Sequence, residues 1–185
     1  MPTGSKPRSR GTRPVPLRRR GVQRLPTGGL RVCVSDHERA ALRSLPHALA
    51  PLILGEQHDD AAAEIRARLY PSAYDDPALE EEYRGLVGEE LVQQRADALD
   101  TFTASLEQGT SRRGTWAVEL DPEQAQAWLA VVNDARLVLA GVVGITSEQE
   151  WEQGPDPADP PSMLLWYLGW LEEQLVAAMM GSLPS

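Results

Sequence analysis

The chain has 185 residues, enough for one domain with a tail. Its net charge of −9 hides a split: residues 1–24 hold eight basic side chains and no acid, leaving 10 basic and 27 acidic side chains, a balance of −17, on the rest. The single cysteine excludes an internal disulfide framework and any cysteine-rich zinc site, and it fits a reducing cytoplasm.

Residues 1–28 are rich in Pro, Gly, Ser and Arg without an apolar period, so a disordered basic tail is expected there. Arg18, Arg19, Arg20 and Arg24 could make weak, salt-sensitive and sequence-blind contacts with nucleic-acid phosphates. No apolar signal segment follows the arginines.

The ordered domain should occupy residues 29–181, followed by a C-terminal end at 182–185. In "LRVCVS", Leu30, Val32 and Val34 alternate with Arg31, Cys33 and Ser35, a half-buried strand. Cys33 would then sit on the outer face beside Arg31, which makes it the redox candidate. Ser35 and Glu38 form a capping box that starts a helix, and Pro46 and Pro51 should kink or end it before Gly55.

Residues 61–69 read as a short helix, stopped by "LYPSAYDDP". There Tyr70, Pro71 and Tyr74 suggest either a recognition loop or a turn with packed rings, its carboxylates capping the next helix. From Pro77 to Glu107 the pattern is helical, and Gly85 and Gly88 should divide it in two. Residues 78–106 then imitate a helix-turn-helix, but Glu89 and Glu90 would open its reading helix and repel phosphate.

"TWAVEL" repeats the strand pattern after the loop "QGTSRRG". Asp121 can cap the following helix, with Pro122 at its first position. Two such strands should pair as a two-stranded ribbon on a helical core. The helix from Pro122 to about Val143 turns Trp128, Val132, Ala135, Leu139 and Val142 to one side. Asn133, Asp134 and Arg136 point in other directions. Asp134 and Arg136 are too far round the helix to bridge each other, so each needs a partner from elsewhere. Glu172 and Glu173, the acids of the last helix, are the candidates for Arg136.

The loop "GITSEQEWEQGPDPADPP" reads as exposed or poorly ordered. The last helix, opened by Ser162 and carrying Trp166 and Trp170, is apolar all round in its first half. It suits a core position or a homodimer contact, and its acids argue against a membrane span. His37, His47 and His58 lack metal-ligand spacing, and no nucleotide-binding, hydrolase or metalloprotease motif occurs, so no cofactor is expected.

The pieces "LYPSAYDDPALEEEYRGL", "LDPEQAQAWLAVVNDARLVLAGVVGI" and "LLWYLGWLEEQLVAAM", with the capped start "VSDHERAALRSL", resemble a family of actinobacterial proteins. That family is a domain of unknown function, often encoded beside the ClpS protease adaptor gene, with some members labelled oxidation-sensing transcription regulators. The resemblance covers about residues 28–181 and implies a mainly α, single multi-helix domain linked to stress response or regulated proteolysis. The leading expectation is a non-catalytic regulatory or adaptor protein with a protein partner. An oxidation-responsive regulator and an enzyme of unknown reaction remain as alternatives. An internal disulfide switch would need a second cysteine.

Overall fold

A computed structural model describes residues 20–181 apart from residues 146 and 153. Arg18 and Arg19 lie outside the described residues. The elements run β1 Gly21–Arg24, β2 Leu30–Ser35, α1 Asp36–Leu54, α2 Asp60–Leu69, α3 Pro77–Gln108, β3 Thr110–Arg112, β4 Thr115–Leu120, α4 Pro122–Val143, α5 Glu148–Glu152 and α6 Pro160–Met180.

The fold is mainly α, but the strands make a four-stranded antiparallel sheet of order β1-β2-β4-β3 rather than a two-stranded ribbon. Both added strands come from segments whose composition suggested loop. β1 lies in the segment expected to be disordered; a turn closed by Gly28 N–H donating to Leu25 O at 3.0 Å folds it back onto β2. β3 joins β4 through Arg113 and Gly114, with φ of 54° and 76°, the double left-handed turn that suits the twist of a hairpin.

The central pair β2–β4 carries the core. Leu30 opposes Leu120, Val32 opposes Val118, and Val34 opposes Trp116. All six are buried on one face. Behind them, Phe102 of α3 and Trp128 of α4 meet at 4.8 Å, and Trp128 stacks on Trp116 at 6.3 Å. The indole N–H of Trp128 donates to Ser105 Oγ at 2.7 Å, so this buried polar atom is satisfied.

The helix starts follow their capping residues. Ser35 and Glu38 cap α1 reciprocally, and Asp121 and Gln124 do the same for α4. Helix α1 continues past Pro46 and Pro51 and stops where Gly55 takes a left-handed C-cap. Helix α3 is one continuous 32-residue helix. Gly85 and Gly88 cost about 1 kcal/mol each relative to Ala, too little to break a helix of such length. With no turn inside 78–106, the helix-turn-helix imitation is lost.

The loop after α4 holds the short helix α5, because Trp151 stacks on Trp166 at 3.7 Å. Helix α6 packs on α4 and β1 and buries Leu165, Leu168, Leu171 and Leu175. Helix α4 is long and apolar enough to cross a membrane, with a mean hydropathy of 1.3 over its most apolar window, yet it packs among α2, α3 and α6. Val142, placed on the inward arc by its spacing, is 57 % exposed, while the next residue back, Gly141, faces Ile65 and Arg68 of α2.

Candidate functional site

A cleft of about 640 Å³ lies between the end of α2, the loop 70–76 and the first half of α3. Arginines shape its walls. Arg66 of α2 donates to Leu52 O at 2.6 Å and Ile53 O at 2.9 Å, supplying donors to the unpaired carbonyls at the end of α1. Gly55 is required beside it: a Cβ there would meet Arg66 Nη1 at 2.8 Å, and its φ is +71°. Arg95 of α3 donates to Leu69 O at 2.7 Å, closing the end of α2.

The Tyr70 ring sits between these two guanidiniums, 4.9 Å from Arg66 and 5.1 Å from Arg95. Burial raises the Tyr70 phenol above its ordinary value, against the pull of the two cations. Arg84 donates to Tyr70 O at 3.0 Å and pairs with Glu80. Glu80 accepts from the N–H groups of Ala73 (2.8 Å) and Tyr74 (3.1 Å). Desolvation opposes its charge, but Arg84 and the two N–H donors outweigh it and hold Glu80 below the usual carboxylate range.

The loop is thus a built turn. Asp76 caps α3 by accepting from Ala78 N–H at 2.8 Å, and Tyr74 lies edge-on to Tyr83 at 5.8 Å. Pro71 lines the cleft with Tyr70, Leu91 and Val92. Each of the three guanidiniums is engaged by a carbonyl or carboxylate, and among the described residues no nucleophile in the cleft is paired with a base. The cleft has an apolar floor and a charged rim.

Beyond the cleft, the first half of α3 stands as an arm. Leu79 is 49 % and Leu86 75 % exposed. Seven residues apart, they share one helix face, with Tyr83 beside them. Sequence reasoning missed both leucines and all three arginines. The seven-residue spacing of Leu79 and Leu86 was the available signal; nothing in the sequence distinguished arginines that reach carbonyls far along the chain.

The polar residues of α4 separate. Asp134 is 3 % exposed and pairs with Arg95 Nη1 at 2.5 Å. Burial raises its pKa, opposed by Arg95. Arg136 pairs with Glu172, one of the two expected acids, and covers Trp151 at 5.6 Å, while Glu173 is exposed. Asn133 is half-buried. No two of these three side chains form a shared site. Trp128 belongs to the core. Trp166 serves to hold α5, and Trp170, 37 % exposed, lies 5.9 Å from Tyr167.

Cys33, expected on an outer face, is 1 % exposed. Its strand is interior to the sheet, flanked in register by Gly21 and Ala117, both buried. The expected solvent access therefore fails because this face of the sheet is covered too: a Cβ on Gly21, the register partner of Cys33, would meet Gln174 and Trp170 of α6. Arg31 pairs with Glu119 across the same face. Arg20 pairs with Glu38, and Arg24 donates to Met179 O at 3.3 Å. Among the described residues, no group of three or more His, Cys, Asp or Glu side chains could hold a metal ion.

No curated protein and no solved structure matches the chain. A family model described as "Domain of unknown function (DUF2017)" matches residues 19–179. That span takes in the whole sheet, the cleft, the arm and nearly all of α6, and the chain belongs to this family of uncharacterised domains.

Proposed function

We propose that the chain is a non-catalytic regulatory or adaptor protein that acts in the cytoplasm through protein–protein contacts, with the arm and its cleft as the docking surface. One observation carries this reading: Leu79 and Leu86 stand 49 % and 75 % exposed on one face of α3, next to a cleft with an apolar floor. A helix that presents two leucines one heptad apart suits a partner helix or an extended segment laid across it. Acids surround the leucines, so the matching partner segment is basic.

The stress and proteolysis association comes from the family resemblance and belongs to this proposal. The oxidation-responsive alternative is weakened by the burial of Cys33, because thiol reactivity needs access. The test is capture of partners from the native cytoplasm by the full chain and by L79S/L86S, with circular dichroism as the check on folding. Partners depleted at least fivefold by the double substitution support the reading. An unchanged set, or a reproducible enzymatic activity of the purified chain, contradicts it.

A further inference from the structure

The outward face of α3 is unusual in charge. At about 100° per residue, Glu82, Glu89, Glu90, Asp97, Asp100 and Glu107 fall within an arc of about 100°. All six are exposed. Leu79 and Leu86 lie in the same arc. The cations of α3, Arg84 and Arg95, point to the other side, into the cleft and onto Asp134. An ordinary solvent-facing helix mixes signs along such a face; this one is a rail of carboxylates.

The N-terminal segment leaves the domain at β1, and α3 ends at β3 on the opposite sheet edge, about 14 Å away across three strand spacings. Arg20 pairs with Glu38 at the start of α1, and the next residue, Arg39, donates to Leu106 O at 2.8 Å near the end of α3. Glu107 is held there by Arg43 at 3.0 Å. Residues 1–19 carry six basic side chains and no acid. From Leu106 the rail reaches Asp97 after about 14 Å and Glu82 after about 36 Å. The stretch from Lys6 to Arg20 spans up to about 46 Å extended, and about 20 Å as an average coil.

We propose that residues 1–19 lie along the acidic face of α3 in the same molecule and cover the arm until a basic partner displaces them. This rests on the reading of the arm as a docking surface and adds its regulation: the chain carries its own competitor. Each exposed ion pair is weak by itself. Tethering supplies an effective concentration on the order of millimolar, and several pairs act together. Two rails repel each other, so like-with-like pairing of arms is disfavoured.

Lys6 is the sole lysine, which makes the proposal directly readable. A zero-length carbodiimide joins an amine to a carboxylate only when the two touch. In the full chain at about 0.05 M salt, Lys6 should form amides with Glu82, Glu89, Glu90, Asp97 or Asp100, within monomers. The yield should fall at least fivefold at about 0.5 M salt, where the screening length shortens to a few ångströms. It should also fall at least fivefold in E82Q/E89Q/E90Q/D97N, and stay unchanged in E119Q/E123Q. Amides to carboxylates off α3 in comparable yield, bonds only between molecules, no bonds, or a yield indifferent to salt and to the rail substitutions would each overturn it. These outcomes leave the partner-capture result untouched, so failure of the tethered occupant and failure of the docking surface are separable.

Discussion

Removing either partner of the Arg95–Asp134 pair should have very different costs. Asp134 is the deeper member: its side chain is 4 % exposed, against 28 % for Arg95. Arg95→Ala leaves a buried carboxylate without its cation and takes the donor from Leu69 O and one guanidinium from Tyr70. Loss of one partner from a buried pair costs about 3–5 kcal/mol. Asp134→Ala leaves Arg95 able to reach water while it keeps its bond to Leu69 O, so the cost should be nearer 1–2 kcal/mol. The double variant R95M/D134L replaces charge with apolar volume and should lie within about 1 kcal/mol of the parent, far from the sum of the singles.

Urea unfolding followed by tryptophan emission reads these differences as midpoint shifts at constant slope. The pH dependence adds a sign. Burial raises the Asp134 pKa in the folded state despite Arg95. Its contribution to stability is then full below the unfolded carboxyl pKa of about 3.9 and is lost as pH rises through the folded value. Asp134→Asn, which cannot titrate, should gain on the parent as pH rises from about 4 toward neutrality. The reasoning is refuted if Asp134→Ala costs as much as Arg95→Ala, or if the double variant is additive.

Three further outcomes follow from single contacts. Gly109→Ala should destabilise by about 1–3 kcal/mol, because its Cβ would collide with the buried Trp116 ring, whereas Gly85→Ala has open space and should stabilise α3 by about 0.5–1 kcal/mol in the same urea assay. Arg136→Ala should cost about 1–3 kcal/mol and change the emission of Trp151, since the guanidinium joins Glu172 to that ring; an unchanged midpoint and spectrum would remove it from the structural account. Cys33 should react with an aromatic disulfide reagent at least about 100-fold more slowly in the folded chain than in urea, its rate following unfolding; fast labelling of folded protein would restore the redox reading.

Local signals were the legible part of the fold. Ser35 with Glu38 and Asp121 with Gln124 cap helices where their spacing says they should, because a cap is a matter of three or four adjacent residues. The alternation of Leu30, Val32 and Val34 correctly marked an inward face. What failed depended on distant chain. Cys33 and Ser35 look alike in the strand pattern, and only the packing of α6 over the β1 end of that face distinguishes a buried thiol from a half-exposed hydroxyl. β1 itself is short and polar, and it is a strand because β2 offers it an edge. Gly85 and Gly88 read as breaks because propensity is local, while α3 is held by Leu99, Phe102 and Leu106 packing far from them.

The candidate site was legible in one half. The spacing of Asp134 and Arg136 excluded a bridge between them, and Glu172 was one of two acids available to Arg136. Arg95 as the partner of Asp134 lies 39 residues away and has no local signature. The loop residues Tyr70, Pro71 and Tyr74 drew attention for their composition. Their role became visible only with Arg66, Arg84 and Arg95 around them, each reaching a carbonyl that the sequence does not mark.

The central claim is that the arm of α3 is where partners dock, and a photoreactive side chain tests it most directly. Placed at position 86 in the full chain inside cells, a benzophenone amino acid should form adducts with a small, reproducible set of proteins. The same group at position 58, an exposed site between α1 and α2, should not capture that set. Adducts at position 86 that depend on Leu79 and disappear with L79S are the result the account predicts. Equal labelling at the two positions, or none at position 86, would contradict it.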